Sequence, residues 1–231
     1  FADMQMAENS IKKLEKQIKS NKDLQPCIDF LNKALSHLNK NSPIRTLSLN
    51  EDEKKLLKIY HFITAKKVIY AANISENDLS SLNSKPYLDV KNFAQAESSI
   101  VIPFCAKLEE ELASLSENEA LDFLDSLGLK GSGLDRIINV SYKMLSLITF
   151  LTSGEQETRA WTIKQGASAP EAAGKIHTDL QKGFIRAEVI SYTDMVKYNG
   201  RVGARDAGKA KSEGKEYEVK DGDVILFFHS K

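Results

Sequence analysis

Asn73 and Glu76 stand three residues apart where an apolar run, Val68–Ala72, stops abruptly. Cys105, Ala106 and Lys107 follow a second apolar run in "SIVIPFCAK". In open α/β sheets, ligands bind at the carboxyl ends of the strands. Two neighbouring strand ends carrying Asn-x-x-Glu and Cys-Ala-Lys are therefore a candidate binding site built on hydrogen-bonding side chains. Asn-x-x-Glu after a strand also fits a plain helix cap or turn. Elsewhere, His177 and Asp179 in "IHTD" have the types needed for general acid–base work but lack a third partner. His37, His61 and His229 are isolated and show no metal-ligand spacing. Cys27 and Cys105 show no C-x-x-C spacing, and Cys105 reads as a packed thiol at the edge of the candidate site.

The elements that must hold these groups are legible in outline. Met4, Ala7, Ile11, Leu14 and Ile18 form one seam, and Ile28, Leu31, Leu35 and Leu38 form a second after the break "SNKDLQP". Two such seams predict an antiparallel helical hairpin over 1–48, with two separate surface helices as the alternative. Asn50 and Glu53 open a helix to about Tyr60. Val68–Ala72 reads as a strand buried on both faces, 86–97 as a helix and 99–104 as a second buried strand. "LEEELASLSENEALDFLDSLGL" reads as helical with Ser116 as an internal cap, and Leu134, Ile137, Ile138, Tyr142 and Leu145 mark one more helix. Strand alternating with helix is the pattern of a parallel sheet with crossover helices, here over 49–148. Two strands cannot complete such a sheet.

After about residue 150 the pattern changes. "TRAWTIK", "GFIRAEVISY" and "VILFF" read as strands, with "PEAAGKIH" a short helix and "KDGD" a tight turn. Ile185, Ala187 and Val189 alternate with Arg186 and Glu188, the signature of a half-exposed antiparallel strand. A small α+β domain over 149–231 follows. Trp161 reads as core.

The chain has 231 residues, 42% hydrophobic and 28% charged. Its 32 Lys+Arg balance 32 Asp+Glu, which argues against coating nucleic acid by bulk charge but not against a local patch. One such patch is Lys197, Arg201, Arg205, Lys209, Lys211 and Lys215, around Tyr198 and opposed by Asp206 and Glu213. It suits RNA phosphates, or is a solvated face. No apolar stretch reaches the ~20 residues of a membrane span. Two distant cysteines and no signal peptide predict a reduced, cytoplasmic setting. The chain opens at Phe1 inside a helical pattern, which predicts a fragment of something longer.

The two strand-end loops resemble the base-recognition loops of P-loop GTPases, where an Asn-Lys-x-Asp motif is followed by a small-residue/Ala/Lys loop. That resemblance implies that the acidic side chain grips a purine edge, the Asn ties the loops together, and the second loop offers a backbone N–H. Ile74 replaces the Lys and Glu76 the Asp. The extra methylene displaces the carboxylate enough to spoil a bidentate guanine contact, which favours relaxed choice and adenine. The phosphate-binding pattern G-x-x-x-x-G-K-[ST] has one near-match, Gly203 to Ala210, which lacks the final hydroxyl and a preceding buried strand. The base end of a nucleotide site is thus present without the phosphate end.

"RAWTIKQGASAPEAAGKIHTDLQKGFIRAEVISYTDMVKYNG" with "EGKEYEVKDGDVILFF" closely resembles the C-terminal TGS domain of the YchF, or Obg-like, ATPases. The resemblance continues upstream through "GSGLDRIINVSYKMLSLITFLTSG", "VIPFCAKLEEELASL" and "TAKKVIYAANISENDL". It implies a fold in three parts: the hairpin insert, half of a P-loop-type parallel sheet, and a ubiquitin-like β-grasp TGS domain. It implies ATP preferred over GTP, Mg²⁺, and the ribosome and RNA as partners of a monomer. Base contacts fall on Asn73, Ile74 (through its backbone), Glu76, Cys105, Ala106 and Lys107. No catalytic or metal-binding residue can be carried over, because the family's P-loop and Mg²⁺ ligands lie N-terminal to the hairpin. Such a chain is expected to be inactive alone.

Overall fold

The computed structural model describes residues 1–154 and 157–230. Glu155, Gln156 and Lys231, inside the domain expected over 149–231, lie outside the described residues. The chain divides into two compact units, Phe1–Ile137 and Ile138–Lys231.

In the first unit, α1 (Ala2–Gln17) and α2 (Gln25–Leu38) fold back on each other. Their shared core is Ala7, Ile11, Phe30, Leu31, Ala34 and Leu38, and it runs on into Ile44 and Phe62. The expected seam is therefore widened. Leu14 and Leu35 are only partly buried, while Phe30 and Ala34 lie fully inside. Helix α3 (Glu51–Tyr60) opens with a complete capping box, Glu53 N–H to Asn50 Oδ1 and Asn50 N–H to Glu53 Oε2. Lys33 of α2 reaches the same Glu53 at 2.8 Å. Buried Asp3 at the start of α1 accepts from Ile63 N–H (2.9 Å), Thr64 N–H (2.7 Å) and Thr64 Oγ1 (2.6 Å), which anchors the segment leading into the first strand. Arg45, beyond α2, binds Glu97 at 2.6 Å, and Glu97 also accepts from the Tyr70 hydroxyl at 2.8 Å.

Strands β1 (Ile69–Asn73) and β2 (Ile100–Phe104) pair in parallel, with Asn73 opposite Phe104. Neither is buried on both faces, contrary to the reading of an apolar run as a two-sided core strand. Ala71 and Ile100 are exposed: among the described residues this sheet has two strands, with α5 (Lys85–Ala96) packed on them. Helices α4 (Glu76–Ser81), α6 (Ala106–Ala113) and α7 (Glu117–Ser126) follow the strand ends. The long helical stretch expected after Lys107 breaks at Ser114–Ser116, where Ser116 and Glu119 form a second capping box. Helix α8 (Gly133–Met144) starts on Glu109, whose carboxylate accepts from Gly133 N–H at 2.6 Å.

The second unit is a five-stranded sheet in the order β4-β3-β7-β5-β6, from β3 (Leu147–Ser153), β4 (Thr158–Lys164), β5 (Phe184–Ser191), β6 (Lys211–Glu213) and β7 (Asp223–His229). First and last strands, β3 and β7, lie side by side in parallel, and the other pairings are antiparallel. Strands β3 and β6 are additions to the sequence reading. Helices α9 (Ala169–Ile176) and α10 (Thr178–Lys182) carry the chain from β4 to β5. The core joins Ala169, Ala172 and Ala173 of α9 to Phe150, Ile163, Phe184, Ala187, Val189 and Ile225. Ile185 is not among them. A register shift between Phe184 and Arg186 turns Phe184 inward and leaves Ile185 58% exposed. The "KDGD" turn forms through Gly222 at φ +79°. Helices α11 (Tyr192–Lys197) and α12 (Arg201–Asp206) lie between β5 and β6.

Candidate functional site

Parallel pairing of β1 and β2 delivers both loops to one edge. Ile74 N–H donates to Phe104 C=O at 2.8 Å, extending the ladder one residue past the strand. Asn73 Oδ1 accepts from Ala106 N–H at 3.0 Å, so the amide side chain stitches the first loop to the second. Ser75 caps α4, its Oγ accepting from Asp78 N–H at 3.3 Å. The cap therefore belongs to Ser75, a residue passed over in the sequence, and Glu76 is left at the first helical position with an exposed side chain. Ile74 turns the other way. Its side chain packs on the cluster of Leu79, Cys105, Leu108, Leu112 and Leu124, beside Leu127 and Leu129. Only its backbone faces the loop edge, as an apolar residue in the Lys position requires.

Cys105 is buried in that same cluster, so its thiol supports the loop rather than lining its surface. Lys107 is exposed and lies 3.7 Å from Glu111 one turn along α6. A small hollow beside Glu76 is walled by Leu79, Ser80, Leu127 and Leu129. The edge thus offers an accepting carboxylate, an exposed ammonium and two anchored backbone segments. That set suits the rim of a flat, hydrogen-bonding heterocycle. Among the described residues no group of three or more His, Cys, Asp and Glu is placed to hold a metal ion.

Comparison with known proteins bears on this arrangement. The YchF-GTPase_C family model, described as a protein of unknown function, matches residues 147–230. The chain is 45% identical over 229 residues to a ribosome-binding ATPase YchF of Haemophilus ducreyi, covering 98% of this chain and 62% of that protein. It is 42% identical over 230 residues to the protein of the same name from Bacillus subtilis, covering 98% and 63%. The structure of the Schizosaccharomyces pombe YchF GTPase superposes with a TM-score of 0.85 at 32% identity, covering 98% of this chain and 62% of that one. This chain is similar to these proteins and spans about 62% of the length of the curated relatives it matches.

The basic patch is reorganised by the fold. Arg201 and Arg205 turn onto one carboxylate, Glu188 of β5. Arg201 Nη1 lies 2.9 Å from Glu188 Oε1, and Arg205 donates through Nε at 2.9 Å and Nη2 at 3.0 Å. Burial alone would raise the Glu188 pKa. The bonds from Arg205 and Arg201 outweigh it and hold the carboxyl below the usual glutamate value. Two of the six expected phosphate contacts are thus already committed within the unit. Lys197 lies 5.3 Å from the Tyr198 ring, and Lys209, Lys211 and Lys215 project around β6.

The near-match Gly203–Ala210 is a helix and its cap. Gly203 sits in α12, where an added Cβ would collide with the Tyr198 carbonyl oxygen. The Gly208 and Lys209 amides donate to Arg205 and Ala204 carbonyls, so they do not form an anion cradle. Gly203→Ala is expected to cost about 2 kcal/mol, as overpacking does, read as a lower urea midpoint for the second unit. A variant as stable as wild type would show that the glycine is not required by packing. His177 caps α10, its Nδ1 accepting from Asp179 N–H at 3.2 Å. Trp161 donates its Nε1–H to Thr152 at 2.9 Å and packs on the core, with Arg159 over its ring. Among the described residues no helix is long and apolar enough to cross a membrane.

Proposed function

We propose that this chain is the base-recognising and RNA-contacting part of a YchF-like, ribosome-associated ATPase of the cytoplasm. The Asn73 to Ala106 hydrogen bond carries the reading, because it makes two strand-end loops one rigid purine rim. On that rim Glu76 accepts from the exocyclic amine of adenine, and the anchored Ile74 and Ala106 backbones flank the ring. Lys107 lies over the open side. The same geometry disfavours guanine, since the extra methylene carries the carboxylate away from the position at which a shorter side chain meets guanine's two adjacent donors. ATP is preferred to GTP on this reading. The triphosphate and Mg²⁺ would be held by chain beyond these 231 residues, which the 62% share of its relatives leaves room for. The same reading explains β1 and β2: a two-stranded parallel sheet is half of a P-loop-type sheet whose remaining strands come from that segment. We read the second unit as a TGS β-grasp domain. Its parallel first and last strands at the sheet centre, crossed by α9, support this.

Adenosine and guanosine titrations of the isotope-labelled chain test the base site. Adenosine at millimolar concentration is expected to shift the amide resonances of Ile74 and Ala106, and guanosine to shift them less. Asn73→Ala should weaken adenosine about tenfold, the factor for a lost hydrogen bond of ~1.4 kcal/mol. Equal, site-independent shifts with both nucleosides would end the proposal. ATP turnover by this chain alone, abolished in Glu76→Ala, would overturn the assignment of the phosphate end elsewhere.

A further inference from the structure

Lysines gather at the far end of the hairpin. Lys12, Lys13 and Lys16 lie on the last turns of α1, and Lys19 and Lys22 in the turn to α2. All five are exposed, and only Glu15 and Asp23 oppose them between residues 11 and 24. Four other lysines of this unit are drawn into ion pairs: Lys33 with Glu53, Lys54 with Glu51, Lys55 with Asp52, Lys107 with Glu111. Among the described residues none of the five tip lysines forms an ion pair within 4 Å. The chain as a whole is neutral, so this end is a local concentration of positive charge.

The turn that presents them is ordered by its own bonds. Ser20 and Asn21 N–H groups donate to Gln17 C=O at 3.0 and 3.1 Å, and Asn21 Oδ1 accepts from Asp23 N–H at 3.0 Å. Ile11 and Leu14 face the other way, into the core shared with α2. No large apolar side chain is exposed between Lys12 and Lys22, and the stretch has no aromatic residue and no arginine. A surface of lysines alone cannot seat an apolar helix or stack on a base. It can meet a row of phosphates without reading sequence.

We infer that the hairpin tip is an RNA-backbone contact, with Lys12, Lys16 and Lys19 as its main charges. The choice of RNA over an acidic protein rests on the ribosome-associated reading above. The tip keeps all its charge for a partner, whereas the patch around α12 gives two arginines to Glu188.

The test is fluorescence anisotropy of the full chain with a 20-nucleotide single-stranded RNA at several salt concentrations. The variants are K12Q/K16Q/K19Q and, for comparison, K209Q/K211Q/K215Q. Gln and Lys have similar helix propensities, and circular dichroism checks that the hairpin is retained. The tip variant is expected to bind about tenfold more weakly at low salt. Its slope of log K against log salt should fall by about 2, for three lost contacts on a single strand. The comparison variant should lose less on both measures. A tip variant with wild-type affinity and slope overturns the inference, as does tighter binding of a polyglutamate peptide than of RNA. The adenosine titration does not involve the tip. Amide shifts at Ala106 in a chain that binds no RNA would therefore defeat this inference and leave the base site standing.

Discussion

Phe30→Ala is expected to remove about 4 kcal/mol of stability from the first unit, the middle of the range for a buried phenylalanine. Phe30 is 1% exposed, and its ring meets Phe62 edge-on at 6.2 Å and Tyr60 at 6.1 Å. These aromatic contacts join α2 to the segment that Asp3 anchors, so the cavity would open where the hairpin meets the approach to β1. Neighbours on α1 and α2 are held by their own turns and cannot collapse far into the space. Leu35→Ala, at a position of the expected seam that Phe30 lies outside, should cost only about 1 kcal/mol, because Leu35 is half-buried. Urea unfolding followed by far-UV circular dichroism separates the two. Equal losses would mean that the helices meet along the narrower seam and that Phe30 is not central.

Glu188→Gln should destabilise the second unit by about 3 kcal/mol and change its acid response. The substitution keeps the shape but withdraws the carboxylate that Arg201 and Arg205 share. Arg201 and Glu188 are 15% and 13% exposed, so water compensates poorly there. Arg205 is 45% exposed and adds less. The Glu188 carboxyl titrates below its ordinary 4.5 in the folded unit, so its stabilisation is complete above that pH. It declines as pH falls below 4.5 and is gone once pH passes the folded value. Thermal midpoints between pH 3 and 6 (about the span over which a carboxylate titrates) should show a shallower acid decline in the variant. Parallel curves for variant and wild type would show that the shared carboxylate carries no such linkage.

Much of the secondary structure was legible because its signals are local. Asn50 with Glu53 opens α3, Ser116 with Glu119 opens α7, and the apolar runs end within a residue or so of β1 and β2. What was missed depends on distant partners or unusual backbone. Strand β3 hides behind α8, which ends at Met144, and the break that follows falls on Ser146 at φ +52°, where a glycine would have announced it. Strand β6 is Lys-Ser-Glu and has no apolar residue to mark it. Ile185 alternates correctly, yet the register shift beside it sends the side chain outward. At the candidate site, the nearness of Asn73 and Ala106 follows from parallel pairing, which strand order in the sequence already suggests. The capping by Ser75 was readable from type and position. That Ile74 turns inward was not, because the apolar surface that draws it comes from α6, α7 and Leu127 beyond them. Likewise Arg201 and Arg205 looked like free cations until β5 set Glu188 beneath them.

The register shift in β5 has a bearing on self-association. Strand β6 covers β5 only at Ala187–Val189, leaving Phe184–Arg186 as an open margin of the sheet. An open margin of straight backbone invites another strand to add to it. Here the margin is kinked, and Arg186 folds over the Phe228 ring at 3.8 Å. Beyond it β6 is three residues long and begins with Lys211. A kink, a folded arginine and a short lysine-bearing strand together discourage a neighbouring molecule from extending the sheet on that side.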